Sequence, residues 1–515
     1  MFGCLVKVGN ILIMHCFCFV ILCTLMFQNA ESSSDDKYGA ILRITKKGLT
    51  YAANTAFPEY WSKKDIKLNF SIPRVNETAD DVNYFIESLH LMTKMDNESF
   101  KVSVDIEEES KCVKISIHDS LATFEGKVQC RHIKDRSRVQ NCSITMNIPW
   151  YFKVHIGMNK SGNFSSSVCK GEENCLIPVS DMNISYDNCA PSEEQLCTQG
   201  EAKFEKIFKE QLKKYLKLLD VCTHIESFVI TTLNKQMQTI ELMPHIKHLF
   251  VVDIHMSKEP TYYRDFIETY HKGDVYWYST MEKYPTLHAN VTLDADNSKM
   301  LYIWVSKYAM ESFFRGIQLH GMLHFTIKAE HVGLHNRSLS GLNTTCSTGV
   351  CVGRLLPMLE KLYPNCFMDL DVYSVDVPKM NFEKNLAVVE GKMVMFVYVR
   401  NPYLGNSTLL ANLTGTVNLR FNISMDSAAF HGEVAAFDPD LQSIHSFIEG
   451  FDIQTVDFIL RSAVVVTVEP ILNDYGRKGL DFPVRFTEVQ NAEVKLIENA
   501  MVIGCDIKHH RKEDN

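Results

Sequence analysis

The same order of predicted elements occurs twice along this chain of 515 residues. Residues 39–57 begin with a short apolar strand that runs directly into a helix, several strands follow, and a long helix covers 201–235. Residues 298–320 again give a strand and a helix, more strands follow, and a second long helix covers 441–469. Because strands and helices in this order form α+β domains, the chain is predicted to contain two similar domains.

The predicted boundaries follow from this doubled order. Residues 31–250 form the first domain, residues 287–515 form the second, and residues 251–286 connect them. A chain of this length exceeds the size at which a single core stops growing, so division into domains is also expected from size.

Several segments alternate between apolar and polar residues. The clearest run from Ile66 to Ile72, from Ile144 to Ile148 and from Val417 to Ile423. A period of two indicates strands with one apolar face and one face in water, which is typical of antiparallel sheets.

The first thirty residues are typical of a secretion signal. Lys7 precedes an apolar run from Ile11 to Phe27, and Ala30 supplies a small residue at the predicted cleavage point. The run is long for a signal and slightly short for a membrane span, so an uncleaved anchor is the alternative. The protein is therefore predicted to be secreted and extracellular.

Asn-x-Ser/Thr sequences are more frequent than chance predicts, which indicates a glycosylated surface. The thirteen candidate asparagines are Asn69, Asn76, Asn97, Asn141, Asn159, Asn163, Asn183, Asn290, Asn336, Asn343, Asn406, Asn412 and Asn422.

Cysteines also suit an exported protein. Four of the sixteen lie in the predicted signal, and an even number remains to form disulfides. Sequence alone leaves the connectivity open. The pairs considered are Cys130–Cys142, Cys169–Cys175, Cys346–Cys351, Cys366–Cys505 and, by elimination, Cys112–Cys197.

The first long helix carries a broad apolar stripe opposite a row of lysines. The stripe contains Phe204, Ile207, Phe208, Leu212, Tyr215, Leu216, Leu219 and Cys222. Helical spacing predicts that this face is covered. It is interpreted as a pocket wall, with a packed core or a membrane-surface helix as alternatives. In the second long helix, Pro470 is expected to end or kink the helix.

The densest basic stretch lies between two strand patterns and is predicted to be the tip of a hairpin. Its basic residues are Lys127, Arg131, Lys134, Arg136 and Arg138, and Cys130 with Cys142 would staple its base. A solvated loop is the alternative, since runs of charge usually lie on solvated faces.

Six segments, in order, resemble the family of bactericidal/permeability-increasing protein and lipopolysaccharide-binding protein, which also includes the cholesteryl ester and phospholipid transfer proteins. They are the strand and helix at 39–57, the Pro- and Gly-bearing segment 253–276, the strand and helix from 299, Leu355-Leu-Pro with Leu362-Tyr-Pro-Asn, Gly479-Leu-Asp-Phe-Pro, and Gly504-Cys-Asp. The resemblance spans essentially the whole mature chain.

The resemblance implies an elongated α+β fold of two domains. Each would be a twisted, antiparallel, barrel-like sheet with a long helix, and a central sheet would join them. Apolar pockets between helix and sheet would hold acyl chains, so bound phospholipid is the expected ligand. The implied pocket residues are Leu49, Ala52, Phe57, Phe204, Ile207, Phe208, Tyr215, Leu219, Phe447 and Phe451. A disulfide between Cys189 and Cys222 would match the family's bond from strand to helix.

The basic stretch resembles the hairpin with which endotoxin-binding members meet the phosphates of lipid A, a task that suits guanidinium groups. Nearby residues depart from that pattern. Asp80, Asp81 and the stretch from Asp105 to Glu109 are acidic where endotoxin binders tend to be basic or neutral.

Other functional classes find little support. The net charge of −9 argues against general binding of nucleic acid. Gly349-Val-Cys351-Val-Gly353 has the shape of a nucleophile elbow, but Cys346 is expected to capture Cys351. His245 and His248 could contact one metal ion, but the sequence shows no third ligand near them. No catalytic residue and no metal site are predicted.

The expected function is therefore lipid binding without catalysis. One version captures lipopolysaccharide or a related anionic lipid in innate defence. The other transfers phospholipid and neutral lipid between particles while contacting a membrane or lipoprotein transiently. An extracellular interaction protein with filled pockets is a further alternative.

Overall fold

The structure is a computed structural model. The residues that it describes are 38–62, 71–72, 74–92, 101–161, 164–165, 175–176, 181–189, 196–198, 201–219, 227, 229–231, 233–235, 242–246, 249–281, 291, 293, 296–328, 341–347, 349, 351–383, 385–426, 429–481 and 488–508.

The strands are numbered along the chain. They are β1 Ala40–Thr45, β2 Ser71–Ile72, β3 Val75–Ala79, β4 Val82–Met92, β5 Lys101–Glu107, β6 Cys112–His132, β7 Val139–Met158, β8 Phe164–Ser165, β9 Cys175–Leu176, β10 Asn183–Asp187, β11 His245–Ile246, β12 Phe250–Asp253, β13 Thr261–Tyr263, β14 Phe266–His271, β15 Asp274–Trp277, β16 Leu301–Ser306, β17 His324–Ile327, β18 Phe367–Ser374, β19 Lys379–Glu383, β20 Leu386–Arg400, β21 Ser407–Met425, β22 Ala429–Ser446, β23 Leu480–Asp481, β24 Glu488–Ile497 and β25 Ala500–Lys508.

The helices are fewer. They are α1 Lys46–Ser62, α2 Glu201–Leu219, α3 Lys307–Leu319, α4 Val352–Leu355, α5 Pro357–Leu362, α6 Ile453–Ala463 and α7 Glu469–Lys478, with a π segment at Val464–Val468 and a 3-10 turn at Leu196–Thr198. Further helical residues lie at 227, 229–231 and 233–235, inside the range predicted for the first long helix. No helix among the described residues is long and apolar enough to cross a membrane.

The chain divides into two compact units. The first contains Arg43–Ile240 and Glu259–Thr269, and the second contains Ala30–Leu42, Glu241–Lys258 and Tyr270–Asn515. The segment predicted to connect the domains, 251–286, therefore contributes residues to both units.

Antiparallel sheets form most of the fold, as the alternating segments predict. A nine-stranded sheet in the first unit has the order β10-β7-β6-β4-β2, with β3 beside β4, β5 beside β6, and β8 and β9 beside β7. A seven-stranded sheet in the second unit has the order β17-β18-β20-β21-β22-β23, with β19 beside β20. A three-stranded sheet is ordered β11-β12-β15, and a six-stranded sheet is ordered β13-β14-β1-β16-β25-β24. The α+β class predicted from the sequence is confirmed.

The strand-into-helix openings of both halves form as predicted. β1 runs directly into α1, and β16 runs directly into α3. In the second opening, the side chain of Ser306 caps α3 by accepting a hydrogen bond from the backbone N–H of Ala309 at 3.3 Å. Such a cap satisfies a backbone donor that the first turn of a helix leaves open.

The second long helix begins later than predicted. Leu441 and Ile444 lie in β22, where they face Gly415 and Leu413 of β21. The helical segments start only at Ile453, because Asp452 caps them with a carboxylate that accepts from Thr455 N at 2.9 Å. The predicted start at 441 is wrong because apolar spacing in a strand that carries a bulge resembles helical spacing.

Pro470 does not end this helix, which was one of the two predicted outcomes, but the helix is interrupted directly before it. It is the second residue of α7, and the π segment Val464–Val468 comes directly before α7. A proline has no N–H to donate, and the π segment already interrupts the regular hydrogen-bond ladder at this point. The helical path therefore continues to Lys478.

Candidate lipid-contacting site

The predicted basic hairpin is present at one end of the nine-stranded sheet. It consists of β6, a turn at 133–138 and β7, and it is closed by a hydrogen bond from His132 N to Arg138 O at 3.1 Å. In the turn, the carboxylate of Asp135 accepts hydrogen bonds from the backbone N–H and the hydroxyl of Ser137. These bonds hold the pKa of Asp135 below its usual value. The turn is thus ordered by its own polar groups.

The basic side chains of the hairpin differ in their surroundings. Lys127, Arg131, Lys134 and Arg136 are exposed, whereas Arg138 is half-buried. The hairpin also presents Ile133, whose side chain is 45% exposed. An exposed isoleucine between cations suits contact with the boundary of a lipid layer, where headgroup and acyl chain meet.

An acidic turn lies directly beside this hairpin. Asp80 and Asp81 connect β3 to β4, and both have left-handed backbone, with φ of 46° and 65°. The carbonyl of Asp81 accepts from Ile133 N at 2.8 Å, and its carboxylate pairs with Lys134 Nζ at 2.9 Å. The carboxylate of Asp80 pairs with Lys203 Nζ of α2 at 3.0 Å. The Lys134 ammonium holds the pKa of Asp81 below its usual value.

Two disulfides lie next to the turn of the hairpin, but they are not the predicted ones. Cys130 is bonded to Cys197, and Cys142 is bonded to Cys189. The predicted Cys130–Cys142 staple is wrong because Cys142 faces Val128 across the hairpin, whereas Cys130 faces Gln140. Diagonal neighbours in a sheet lie about 7 Å apart, beyond the reach of a disulfide.

The two bonds lie next to each other. Cys142 Sγ lies 3.4 Å from Cys197 Sγ of the other bond. Cys130, Cys142 and Cys197 are buried, whereas Cys189 is exposed. Together the bonds attach the 3-10 turn and the end of β10 to the hairpin strands.

The remaining cysteine predictions have mixed outcomes. The small loop Cys346–Cys351 is confirmed, so Cys351 is not a free nucleophile. Cys189–Cys222 is wrong because Cys189 is bonded to Cys142. Cys112–Cys197 is wrong because Cys197 is bonded to Cys130.

The predicted pair Cys366–Cys505 is also wrong. Both residues are buried free thiols. Cys366 precedes β18 of the seven-stranded sheet, whereas Cys505 lies in β25 of the six-stranded sheet, so different sheets hold them. Cys169 lies outside the described residues, and its pairing with Cys175 stays a prediction.

The apolar stripe of α2 packs tightly along its first half. Phe204, Phe208 and Leu212 are 0%, 1% and 1% exposed. The ring of Phe204 stacks on that of Tyr84 with centroids 4.2 Å apart. Burial to this degree favours the packed-core alternative for this half of the stripe, and a pocket lined by these residues stays a prediction.

The burial of the other predicted pocket residues of the first unit does not distinguish a pocket from a packed core. Leu49 and Ala52 of α1 are buried, and Ile207 is half-buried. Phe57, Tyr215 and Leu219 lie in helices, but their side chains fall outside the described residues. A pocket at these three positions stays a prediction.

In the second unit, the two predicted pocket residues Phe451 and Phe447 differ in their exposure to solvent. Phe451 is 8% exposed and belongs to the main apolar cluster of this unit, together with Val456 and Leu460 of α6. Phe447 is 55% exposed, so it lines no enclosed pocket. The reason is its position directly after β22, outside the helix predicted to contain it.

One face of β21 grades from complete to partial burial. Ala411 and Leu413 are 0% and 1% exposed, whereas Val417, Leu419 and Phe421, which follow on the same face, are only half-buried. Leu441 and Ile444 of the neighbouring β22 are also only partly buried against the apolar cluster. These apolar side chains therefore remain partly accessible to solvent, whereas a solid core would cover them completely.

The candidate metal ligands are dispersed in the part of the chain that the structure describes. Among the described residues, no three potential metal ligands come together. His245 packs against the ring of Tyr278 at 4.6 Å, and His248 lies outside the described residues. The features that remain are a charged tip, apolar surface and disulfide-stapled sheets.

Comparison with known proteins identifies the family to which the chain belongs. Residues 244–509 match the model of the LBP / BPI / CETP family, C-terminal domain. The chain belongs to this family. The match covers more than half of the 515 residues, and it includes the whole seven-stranded sheet.

Individual family members align along nearly the full length. Bactericidal permeability-increasing protein of Sebastes schlegelii is 24% identical over 483 residues, which are 91% of this chain and 95% of that protein. Lipopolysaccharide-binding protein of Homo sapiens is 19% identical over 505 residues, 95% of this chain and 98% of that protein. A crystal structure of lipopolysaccharide binding protein superposes with a TM-score of 0.56 at 18% identity, covering 92% of this chain and all of that one. The resemblance inferred from the sequence motifs is confirmed.

The sequence located the basic hairpin and the nearby acidic residues but missed the ion pairs that they form with Lys134 and Lys203. Lys203 lies just before the lysines of the predicted stripe, yet no local pattern links it to Asp80, 123 residues earlier. Ile133 was missed because one apolar residue among charges has no periodicity. The Asp80-Asp81 doublet between two strand patterns was the one local signal available.

The candidate glycosylation sites lie mainly on the surface. Asn76, Asn141, Asn159, Asn183, Asn406 and Asn422 are exposed, and Asn412 is half-buried. Asn343 is half-buried, and its side-chain oxygen is buried without a hydrogen-bond partner. Asn69, Asn97, Asn163, Asn290 and Asn336 lie outside the described residues. Occupancy of all thirteen sites stays a prediction.

Proposed function

We propose that this protein is a secreted, non-enzymatic lipid-binding protein that contacts lipopolysaccharide or a related anionic lipid in innate defence. The observation that carries this proposal is membership of the LBP / BPI / CETP family. It is supported by relatives named for bactericidal permeability increase and for lipopolysaccharide binding, aligned over almost the whole chain. The signal-like first thirty residues and the many glycosylation sequences support secretion.

Acyl chains would be held in the second unit, against the half-buried face of β21. Val417, Leu419 and Phe421 offer apolar surface there, and the helical segments from α6 to α7 pack on the adjoining β22. Burial of one methylene is worth about 0.8 kcal/mol. A lipid with two chains would gain on the order of 20 kcal/mol before the cost of ordering it. With such a gain in free energy, bound lipid is expected to stay on the protein during purification.

The experiment that tests the proposal is lipid extraction. The protein, secreted from eukaryotic cells and purified without detergent, is extracted with organic solvent and analysed by mass spectrometry. We expect phospholipid in a fixed ratio to protein. Recovery of no lipid, together with no binding of added phospholipid, would favour an extracellular interaction protein on the same fold.

A second prediction concerns the basic hairpin. Changing Arg131, Lys134 and Arg136 to Gln should weaken binding to anionic vesicles about a hundredfold, because each cation near such a surface is worth about 1 kcal/mol. Binding is measured by vesicle co-sedimentation at several salt concentrations, since salt screens these contacts.

The matched control removes three exposed lysines from the second unit. Lys361, Lys379 and Lys508 changed to Gln lower the net charge equally and should leave binding almost unchanged. If the hairpin variant kept both its affinity and its salt dependence, the anionic-lipid role of the hairpin would be abandoned.

Lipid transfer between particles is the second candidate function. The acidic turn that pairs with Lys134 and Lys203, together with the net charge of −9, favours it over strong endotoxin capture. The two functions separate in one assay. Transfer predicts exchange of labelled phospholipid between neutral vesicles, whereas capture predicts tight binding to lipid A with little exchange.

A further inference from the structure

The charge of the hairpin is partly cancelled by an element that is distant in sequence. The acidic turn between β3 and β4 brings the carboxylates of Asp80 and Asp81 within 3.0 Å and 2.9 Å of Lys203 and Lys134. Arg131 and Arg136 have no carboxylate partner among the described residues, and both are exposed. Some cations at this end are therefore engaged, and others are available to a ligand.

Backbone geometry fixes the acidic turn in this position. Val82, the first residue of β4, faces His132, the last residue of β6. The bond from Ile133 N to the carbonyl of Asp81 then joins the two turns directly. The backbone of the turn therefore cannot move away without disrupting the sheet edge, and both aspartates remain close to any headgroup that approaches Lys134.

We infer that Asp80 and Asp81 are specificity-determining residues, which set the density of anionic lipid that a surface must have before the hairpin binds it. This inference rests on the proposed function. A phosphate that approaches Lys134 or Lys203 must displace a carboxylate, and it also meets the repulsion of both aspartates. Sparse anionic headgroups therefore bind weakly, whereas a surface crowded with phosphates provides enough potential to overcome the local negative charge.

The strength of the effect follows from the exposure of the pairs. All four side chains are more than half exposed, at 74% and 51% for Lys134 and Asp81, and 59% and 56% for Lys203 and Asp80. Exposed ion pairs are weak, so the carboxylates compete with phosphate without preventing its binding. The turn thus sets a threshold and does not block the site.

The test is the double variant Asp80→Asn and Asp81→Asn. Asparagine tolerates left-handed backbone as well as aspartate does, so the turn is kept while both charges are removed. Binding is measured on phosphatidylcholine vesicles with a rising fraction of phosphatidylglycerol. We expect about tenfold tighter binding at an intermediate fraction and half-maximal binding at a lower fraction than for the wild-type protein.

Two controls isolate the mechanism. Glu383→Gln with Glu390→Gln changes the net charge equally at exposed positions of the second unit and should not shift the curve. Adding Lys134→Gln and Lys203→Gln to the aspartate variant should remove most of the gain, because the released lysines are its main source. Pure phosphatidylcholine vesicles should bind all variants equally.

The outcomes distinguish the inference from the function on which it rests. If the wild-type protein binds anionic vesicles but the aspartate variant shows no shift, the inference is overturned and the proposed function stands. If neither protein binds at any anionic fraction, the anionic-lipid function fails, and the inference fails with it. Misfolded protein would also bind pure phosphatidylcholine vesicles through exposed apolar surface, so a shift seen only on anionic vesicles supports the inference.

Discussion

The buried residue His271 is expected to make this fold sensitive to acid. His271 ends β14, is 6% exposed, and its Nδ1 lies 2.9 Å from the carbonyl oxygen of Ile254. Burial lowers the pKa of His271 to about 4, because a charged imidazole would lose its hydration. The neutral ring then donates its Nδ1 proton to the carbonyl.

Stability should therefore fall on acidification. The unfolded chain takes up a proton on His271 near pH 6.5, whereas the folded protein resists until about pH 4. Between these values His271 costs the folded state about 1.4 kcal/mol per pH unit. Thermal unfolding of the His271→Asn variant, followed from pH 7 to pH 4.5, should show a shallower loss of stability than the wild-type protein. Equal slopes for the two proteins would refute this assignment.

At the scale of the element, two phenylalanines allow a core position to be compared with a surface position. Phe204 of α2 is fully buried and stacks on Tyr84 and Phe208, whereas Phe447, just after β22, is 55% exposed. Phe204→Ala should cost about 3–5 kcal/mol of stability, since it leaves a cavity. Phe447→Ala should cost less than about 0.5 kcal/mol, as surface substitutions usually do. Chemical denaturation of both variants gives the comparison, and a similar loss in each would contradict the described packing of α2.

Elements were predictable from sequence only where periodicity was unambiguous. The alternation at 144–148 and 417–423 identified strands, and the strand-into-helix openings were found within a residue or two. The start of the second long helix was misplaced because Leu441, Ile444 and Ile448 fit helical spacing, while the decisive factors were pairing with β21 and the cap at Asp452. Pairing with a distant strand leaves no mark in the local pattern.

At the scale of the whole molecule, the doubled order of elements predicted the α+β class, and the motifs predicted the family. What the sequence could not supply were contacts across long separations. The ion pair of Lys203 with Asp80 and the bond of Cys130 to Cys197 join residues 123 and 67 positions apart. Such contacts depend on strand register, and many registers are compatible with one apolar pattern.

The two neighbouring disulfides near the hairpin turn constrain the conditions under which the protein can be expressed and purified. A small thiol reaches the exposed Cys189 first and expels Cys142 as a thiolate, and that thiolate then lies 3.4 Å from a sulfur of the second bond. Exchange would release Cys130 and pair Cys142 with Cys197. Exposure of the oxidised protein to a small thiol during purification would therefore yield a mixture of covalent isomers, whereas export through an oxidising compartment and purification without thiol preserve one.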